Sequence, residues 1–326
     1  MPSAKIIVND DQAILNAQRC IVVHALQTGL NSKLLTNTQF LEKYGIVAGT
    51  IQRALNTLKK TEALTTRSKG HLGRIITEID TGLCWNIAKL KPVQLLMPSS
   101  GSIEIDILIR NITNKLSRLN IPYFISNKPG GEKRISQVLS GEFDIALVSR
   151  GASENMQKQL SETNIKVLTP HTYYSLNRLV IVSRTKGPTS SWKKIAIDSN
   201  SSDHTRITKA EFPESEGFEY IETNFRQVPA RTLKNEVDAG LWHMTSSPVP
   251  LELAGLRASI LQNEKSIAIH EQLSAATFVT NPHRPELISL LNELDNMEIV
   301  QNQCNAFNTE DPYNKAFNFL STASLT

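Results

Sequence analysis

Two serine-rich stretches carry the residues best suited to chemistry. Pro98-Ser99-Ser100-Gly101-Ser102 closes an apolar run and opens a helical one, and Asp198-Ser199-Asn200-Ser201-Ser202-Asp203 does the same later in the chain. Hydroxyls and free backbone N–H groups at a helix start suit an anionic or hydroxylated group, although helix capping and an Asx turn use the same residue types. FDIALVSR ends in Ser149 and Arg150. An arginine in a strand-end loop pairs a carboxylate or phosphate through two parallel hydrogen bonds, or closes a structural ion pair. His171, Thr172 and Tyr173 follow a further strand, and Trp242 and His243 end VDAGLWH, where the indole either stacks on a ligand or fills core. Together these residues describe a binding site for a small polar effector molecule, neutral or anionic.

Catalytic signatures are absent from the sequence. It holds no HExxH, GxSxG or Walker-type loop, its 7 histidines lack metal-ligand spacing, and it has no cysteine–histidine pairing. The three cysteines, Cys20, Cys84 and Cys304, fit neither a disulfide framework nor a CxxC pair and read as bystander thiols. Asp144 and Asp238 each open a strand and read as structural carboxylates. The expectation is a protein with no catalytic residues, no metal and no cofactor, hence not an enzyme.

The elements that position these residues divide in two. Of 35 Lys plus Arg against 31 Asp plus Glu, residues 1–80 hold ten against six, so the whole net charge of +4 sits there. A basic head on a neutral body points to a polyanion partner for the head. In the head, helical spacing of apolar residues predicts a helix from Asp11 to about Gln27, stopped by Gly29. A short helix follows with Asn37 or Thr38 as N-cap, then a third over VAGTIQRALNTLKK. Thr50, Gln52, Arg53 and Asn56 are placed on the surface of that third helix, with Thr38 on the second. TTRSKGHLGRIITEI then reads as a hairpin whose tip carries Arg67, Lys69, His71 and Arg74. Short polar side chains early in a helix reach base edges, and basic side chains on a protruding hairpin reach phosphates of double-stranded DNA.

Beyond Pro92, strands and helices alternate as in a mainly parallel α/β fold. VQLLMP, IPYFIS, FDIALVSR and IKVLTP read as strands of a first lobe, and RLVIVSR, KKIAID, EYIETN and VDAGLWH as strands of a second. A helix is expected over about 153–162. Leu139-SGEF-Asp144 and Leu233-KNEV-Asp238 echo one another, as two similar lobes would. Such folds bind small molecules in a cleft at strand C-termini and helix N-termini. No apolar run reaches membrane-spanning length, and MPSAKIIVNDDQAI lacks the features of a secretory signal, so a cytoplasmic location is expected, without membrane partners.

The stretch GIVAGTIQRALNTLKKTEAL, between a short helix and a basic hairpin, resembles the GntR-type winged helix-turn-helix DNA-binding domain. Val47-Ala48-Gly49 and Gln52 depart from that pattern. Over nearly the whole chain, FDIALVSR, PHTYYSLNRLVIVSR, IAIDSNSSD and VDAGLWH resemble the YhfZ-type regulators. The resemblance implies an α/β chain with an N-terminal winged helix-turn-helix (1–80), a linker (81–92) and a two-lobed, type 2 periplasmic-binding-protein-like effector domain (93–326). Lobe 1 would span about 93–173 and 270–326, and lobe 2 about 174–269. It implies a ligand-responsive DNA-binding transcriptional regulator, acting as a homodimer. The alternatives are a small-molecule-binding protein or an enzyme on the same fold, with the head serving assembly.

Overall fold

A computed structural model of the chain describes residues 10–70, 73–99, 101–160, 165–245 and 249–310. The head begins with helix α1 (Asp10–Thr28), which buries Ala17, Ile21, Val22 and Ala25 and carries Asp10 and Asp11 in its first turn, where they oppose the helix dipole. Helix α2 (Asn37–Tyr44) starts one residue earlier than its sequence suggests. Thr36 is the N-cap and closes a capping box with Gln39, leaving Asn37 and Thr38 inside the helix. Gly45, at φ 67°, turns the chain into α3 (Ala48–Lys60), which buries Ile51, Ala54, Leu55 and Leu58. Strands β1 (Leu64–Ser68) and β2 (Arg74–Ile79) pair antiparallel as a hairpin.

Residues 81–92, read from the sequence as a linker, are not all extended chain. They contain helix α4 (Thr81–Ile87), capped by Asp80, with Cys84 and Trp85 buried. Mixed polarity hid this element, because a seven-residue helix spans barely two turns and its apolar residues cluster at Leu83, Cys84, Trp85 and Ile87 without a repeating helical period.

Lobe 1 comprises β3 (Val93–Met97), α5 (Ile103–Arg118), β4 (Tyr123–Asn127), α6 (Gly131–Leu139), β5 (Ile145–Ser149), α7 (Arg150–Asn155) and β6 (Ile165–Val167). Helix α7 starts at Arg150 rather than 153 because Ser149 Oγ accepts the Ala152 N–H and caps it immediately after the strand. Lobe 2 comprises β7 (Leu179–Arg184), β8 (Lys194–Ile197), α8 (Ser202–Glu211), β9 (Glu219–Glu222), α9 (Val228–Leu233), β10 (Ala239–His243) and β11 (Leu256–Ser259). The chain then returns to lobe 1 through α10 (Glu264–Leu273), β12 (Ala276–Thr280), α11 (Leu287–Asn292) and α12 (Asn296–Thr309).

The two sheets have one topology. Lobe 1 has the order β4-β3-β5-β12-β6 and lobe 2 the order β9-β8-β10-β7-β11. In each, three parallel strands meet an antiparallel fourth, β12 against β5 and β7 against β10. The sequence echo has a physical counterpart at the two aspartates. Asp144 accepts the N–H of Gln94 and returns its own N–H to the Gln94 carbonyl, while Arg284 pairs with its carboxylate at 2.7 Å. Asp238 accepts the N–H groups of Lys193 and Lys194, returns its N–H to the Lys194 carbonyl, and pairs with Arg184 at 3.2 Å. Each aspartate therefore ties the start of one parallel strand to the next. Burial raises the Asp238 carboxyl, but those backbone donors and Arg184 outweigh it and leave it below the ordinary carboxylate value.

Candidate functional site

A cleft of about 190 Å³ lies between the two sheets. Helices α5, α6, α7 and α8 present their N-terminal ends to it through Ser102, Gly130, Ser149 and Ser201. The aligned peptide dipoles of these helices bring partial positive charge to the cleft, beside the carboxylates of Asp198 and Asp203 and the guanidinium of Arg134. Ser102 and Gly130 make no side-chain cap, whereas Ser149 and Ser201 accept N–H groups of their own helices.

Six of the expected ligand contacts line this cleft: Ser99, Ser149, Tyr173, Asp198, Ser201 and Ser202. Ser100 lies outside the described residues. Four others are elsewhere. Arg150 points along α7 to Glu154 at 2.8 Å, an i,i+4 pair that turns it away from the cleft. His171, at φ 63°, faces Glu271 at 3.1 Å. Thr172 donates to the Thr169 carbonyl and accepts the Ala276 N–H, holding the crossover to β12. Trp242 fills the core of lobe 2 with Val180, Val228 and Leu256. Strand alternation explains the last case, since the neighbouring His243 takes the opposite face and lines the cleft.

Residues not anticipated complete the site. Arg134 is almost fully buried and reaches the cleft from α6; its guanidinium donates to the carbonyls of Leu147 and Lys128 and to the Tyr173 hydroxyl at 3.2 Å. Tyr174 stands edge-on to Tyr173, and its hydroxyl donates to Asp203 at 3.2 Å. His204 packs its ring 4.8 Å from Phe225. A helix-facing arginine eleven residues before a strand's buried core, or a second tyrosine in a pair, has no local signature; only the packed fold brings these groups together.

The lobes meet through polar contacts. Ser149 Oγ donates to Asp203 Oδ2, and Lys133 Nζ reaches Asn200 at 3.1 Å. Asn155 donates to Ser202 at 3.0 Å. Glu104, fully buried at the start of α5, accepts the Ser175 N–H and lies 3.2 Å from His243 Nε2 of β10. Burial pushes Glu104 up, yet His243 and Arg178 outweigh it and hold its carboxyl at about 2. Burial raises Asp203 to about 6, tempered by its bonds from Ser149 and Tyr174. Burial lowers His204 to about 3 and His270 to about 4, so both are neutral at pH 7.

A larger groove of about 380 Å³ runs outside lobe 1 between α5 and α12. Four of its charges pair with each other, Arg110 with Glu310 and Lys115 with Glu293, and no expected ligand contact lines it, which makes the interlobe cleft the better ligand site.

On the head, Thr38, Gln52, Arg53 and Asn56 are exposed, as are Arg67 and Lys69 on the hairpin. Thr50 is buried, because it occupies the inward face of α3 beside Ile51 and Ala54. Arg53 is held by Asp10, the first residue of α1. Gln52 donates to Asn56 at 2.8 Å and accepts from Arg74 at 2.8 Å, so helix and hairpin form one polar face. His71 lies outside the described residues. Among the described residues, no helix is long and apolar enough to cross a membrane, and no cluster of three metal-ligating side chains occurs.

Comparison with known proteins places this geometry. Residues 80–312 match the family model of the YhfZ C-terminal domain. The chain is 26% identical over 216 residues to YhfZ of Escherichia coli (strain K12), covering 66% of this chain and 69% of that protein. It resembles the crystal structure of YhfZ from Shigella flexneri with a TM-score of 0.53 at 23% identity, covering 72% of this chain and 97% of that one. The periplasmic aliphatic sulphonate binding protein SsuA from Escherichia coli matches with a TM-score of 0.44 at 13% identity, over 70% of this chain and 75% of its own.

Proposed function

The chain belongs to the YhfZ C-terminal domain family over residues 80–312, and from that premise we propose that it is a ligand-responsive DNA-binding transcriptional regulator. The observation that carries the reading is the joining of two sites in one chain: a basic helix-and-hairpin face and an interlobe cleft ringed by helix N-termini. In this reading, residues 10–79 act as a winged helix-turn-helix. Helix α3 enters the major groove of duplex DNA, with Gln52 and Asn56 at the bases, while Arg67 and Lys69 grip flanking phosphates. Two copies bind an inverted repeat, since one small module makes few contacts.

The effector is a small polar molecule with an anionic group, held between the lobes in the cytoplasm. Electropositive helix ends favour the anion, and Arg134 adds a cation whose hydrogen bonds go to neutral acceptors. Hydroxyl and amide groups at Ser99, Ser201, Ser202 and Asn224 suit a hydroxylated remainder. Arg150, His171, Thr172 and Trp242 have no part in it. The reading involves no catalytic group: Asp203 and Glu104 serve to tie the lobes. Electrophoretic mobility shift of genomic fragments by the full chain tests the proposal. Retarded fragments support it, and their absence at low ionic strength defeats it.

A further inference from the structure

Apolar packing and polar packing divide this molecule at different places, and the division bears on how a signal travels. One continuous hydrophobic core runs from the head into lobe 1. It joins Ile21, Ile51 and Leu58 of the head to Trp85 of α4 and to Leu108, Phe278 and Leu290 of lobe 1. Helix α1 packs directly on both α4 and α11. Lobe 2 has two separate cores, one on each face of its sheet, and the second takes in Leu273 and Ile269 of α10, the helix by which the chain returns to lobe 1.

The junction between head and lobe 1 is bonded as a core is. The Trp85 indole donates to the Lys91 carbonyl at 3.2 Å, and the Arg284 guanidinium lies 5.4 Å from its ring centroid. Arg284 also donates to the carbonyls of Lys91 and Pro92 as it holds Asp144, while Arg19 of α1 donates to the Ala88 carbonyl at 2.9 Å. Gly82 admits the close approach: a Cβ there would lie 2.4 Å from the Leu119 carbonyl oxygen at the end of α5. The lobes, by contrast, meet across the cleft through side-chain hydrogen bonds such as Ser149–Asp203, Lys133–Asn200 and Asn155–Ser202. A close-packed apolar junction resists deformation, while a polar interface between domains permits relative motion.

We infer that the head and lobe 1 form one rigid body spliced by α4, and that lobe 2 is the part that moves. Regulation, which rests on the function proposed above, then has a defined route. Closing the cleft cannot tilt a head on its own lobe. In a two-fold pair it changes the spacing of the two heads only when the copies touch through lobe 2. Contacts confined to heads and first lobes would hold that spacing fixed.

Pulsed electron paramagnetic resonance on the full chain tests the rigid body without ligand or DNA. Nitroxides are placed at Lys60→Cys in the head, Glu142→Cys in lobe 1 and Glu216→Cys in lobe 2, in pairs, with Cys20→Ser and Cys304→Ser and with buried Cys84 retained. Gly151→Leu wedges the lobes, since even a Cβ at 151 lies 2.2 Å from Asp203 Oδ1; Asp203→Ala serves if that variant does not fold. The expected result is an unchanged 60–142 distance distribution and a shifted or broadened 60–216 distribution. A shift in the 60–142 pair overturns the rigid body, and no shift in either pair overturns the mobility of lobe 2. Neither outcome depends on DNA binding, so failure of the regulator reading is seen separately in the mobility shift.

Discussion

Ser149, at the end of the third strand of lobe 1, donates its hydroxyl hydrogen to the carboxylate of Asp203, the second residue of α8 in lobe 2. The same serine caps α7 by accepting the Ala152 N–H, so one side chain fixes a helix start and links the lobes. Tyr174, on the crossover between the sheets, donates to the same carboxylate oxygen. Gly151 is what lets the carboxyl in, because a side chain there would also meet Leu273 at 2.5 Å.

Gly151→Ala is therefore expected to cost about 1–3 kcal/mol of stability through overpacking, with a lower chemical-denaturation midpoint. The loss should shrink in the Asp203→Ala background, where the atom it strikes is gone. Equal losses in both backgrounds would detach Gly151 from the Ser149–Asp203 contact.

Acid should destabilise the fold from about pH 6.5 downwards. His204 and His270 are neutral in the native state, at about 3 and about 4, and take up protons near 6.5 when unfolded. A depressed native value contributes stability above the unfolded value that is lost as pH falls. Asp203 acts in the opposite sense. Its native value of about 6 lies above the unfolded one, so it favours the folded state in acid and loses that contribution as pH rises through 6. Denaturation midpoints at pH 7.0, 5.5 and 4.5 should fall in that order, and more steeply in Asp203→Asn.

Trp85→Ala should remove about 3–5 kcal/mol. Hydrogen exchange should speed up in α1 and in β3 together. A variant that loosens the head while β3 stays protected would show that α4 is not the splice between them.

Neutralising the two hairpin cations should separate them from Arg53. Arg67→Ala and Lys69→Ala should each lower the slope of log affinity for duplex DNA against log salt by about 1. Arg53→Ala should change the slope less, because Asp10 already neutralises that side chain. Fluorescence anisotropy across a salt series reads all three.

Local patterns carried much of the architecture. Apolar spacing located α1 and α3, Gly29 and Gly45 marked turns, and the paired apolar runs around Gly70 and Gly73 marked a hairpin. The aspartate echo at 144 and 238 anticipated two sheets of one topology. Side-chain direction was not legible in the same way. Arg150 and Ser149 are neighbours at one strand end, yet one faces solvent and the other the cleft. Trp242 and His243 divide likewise between core and cleft, a matter of strand parity that needs the sheet in place to resolve. Arg134, Tyr174 and His204 owe their places to contacts far apart in sequence. Helix α4 escaped because its burial depends on α1, which only the finished fold brings to it.

Equilibrium binding of the full chain to fluorescent duplex genomic fragments tests the central claim most directly, measured over a salt series with and without the small-molecule fraction of a cell extract. The account predicts binding at low ionic strength that weakens linearly in log–log form as salt rises, and an affinity that the extract fraction alters. Failure to bind any duplex at low ionic strength, with or without the fraction, would contradict it.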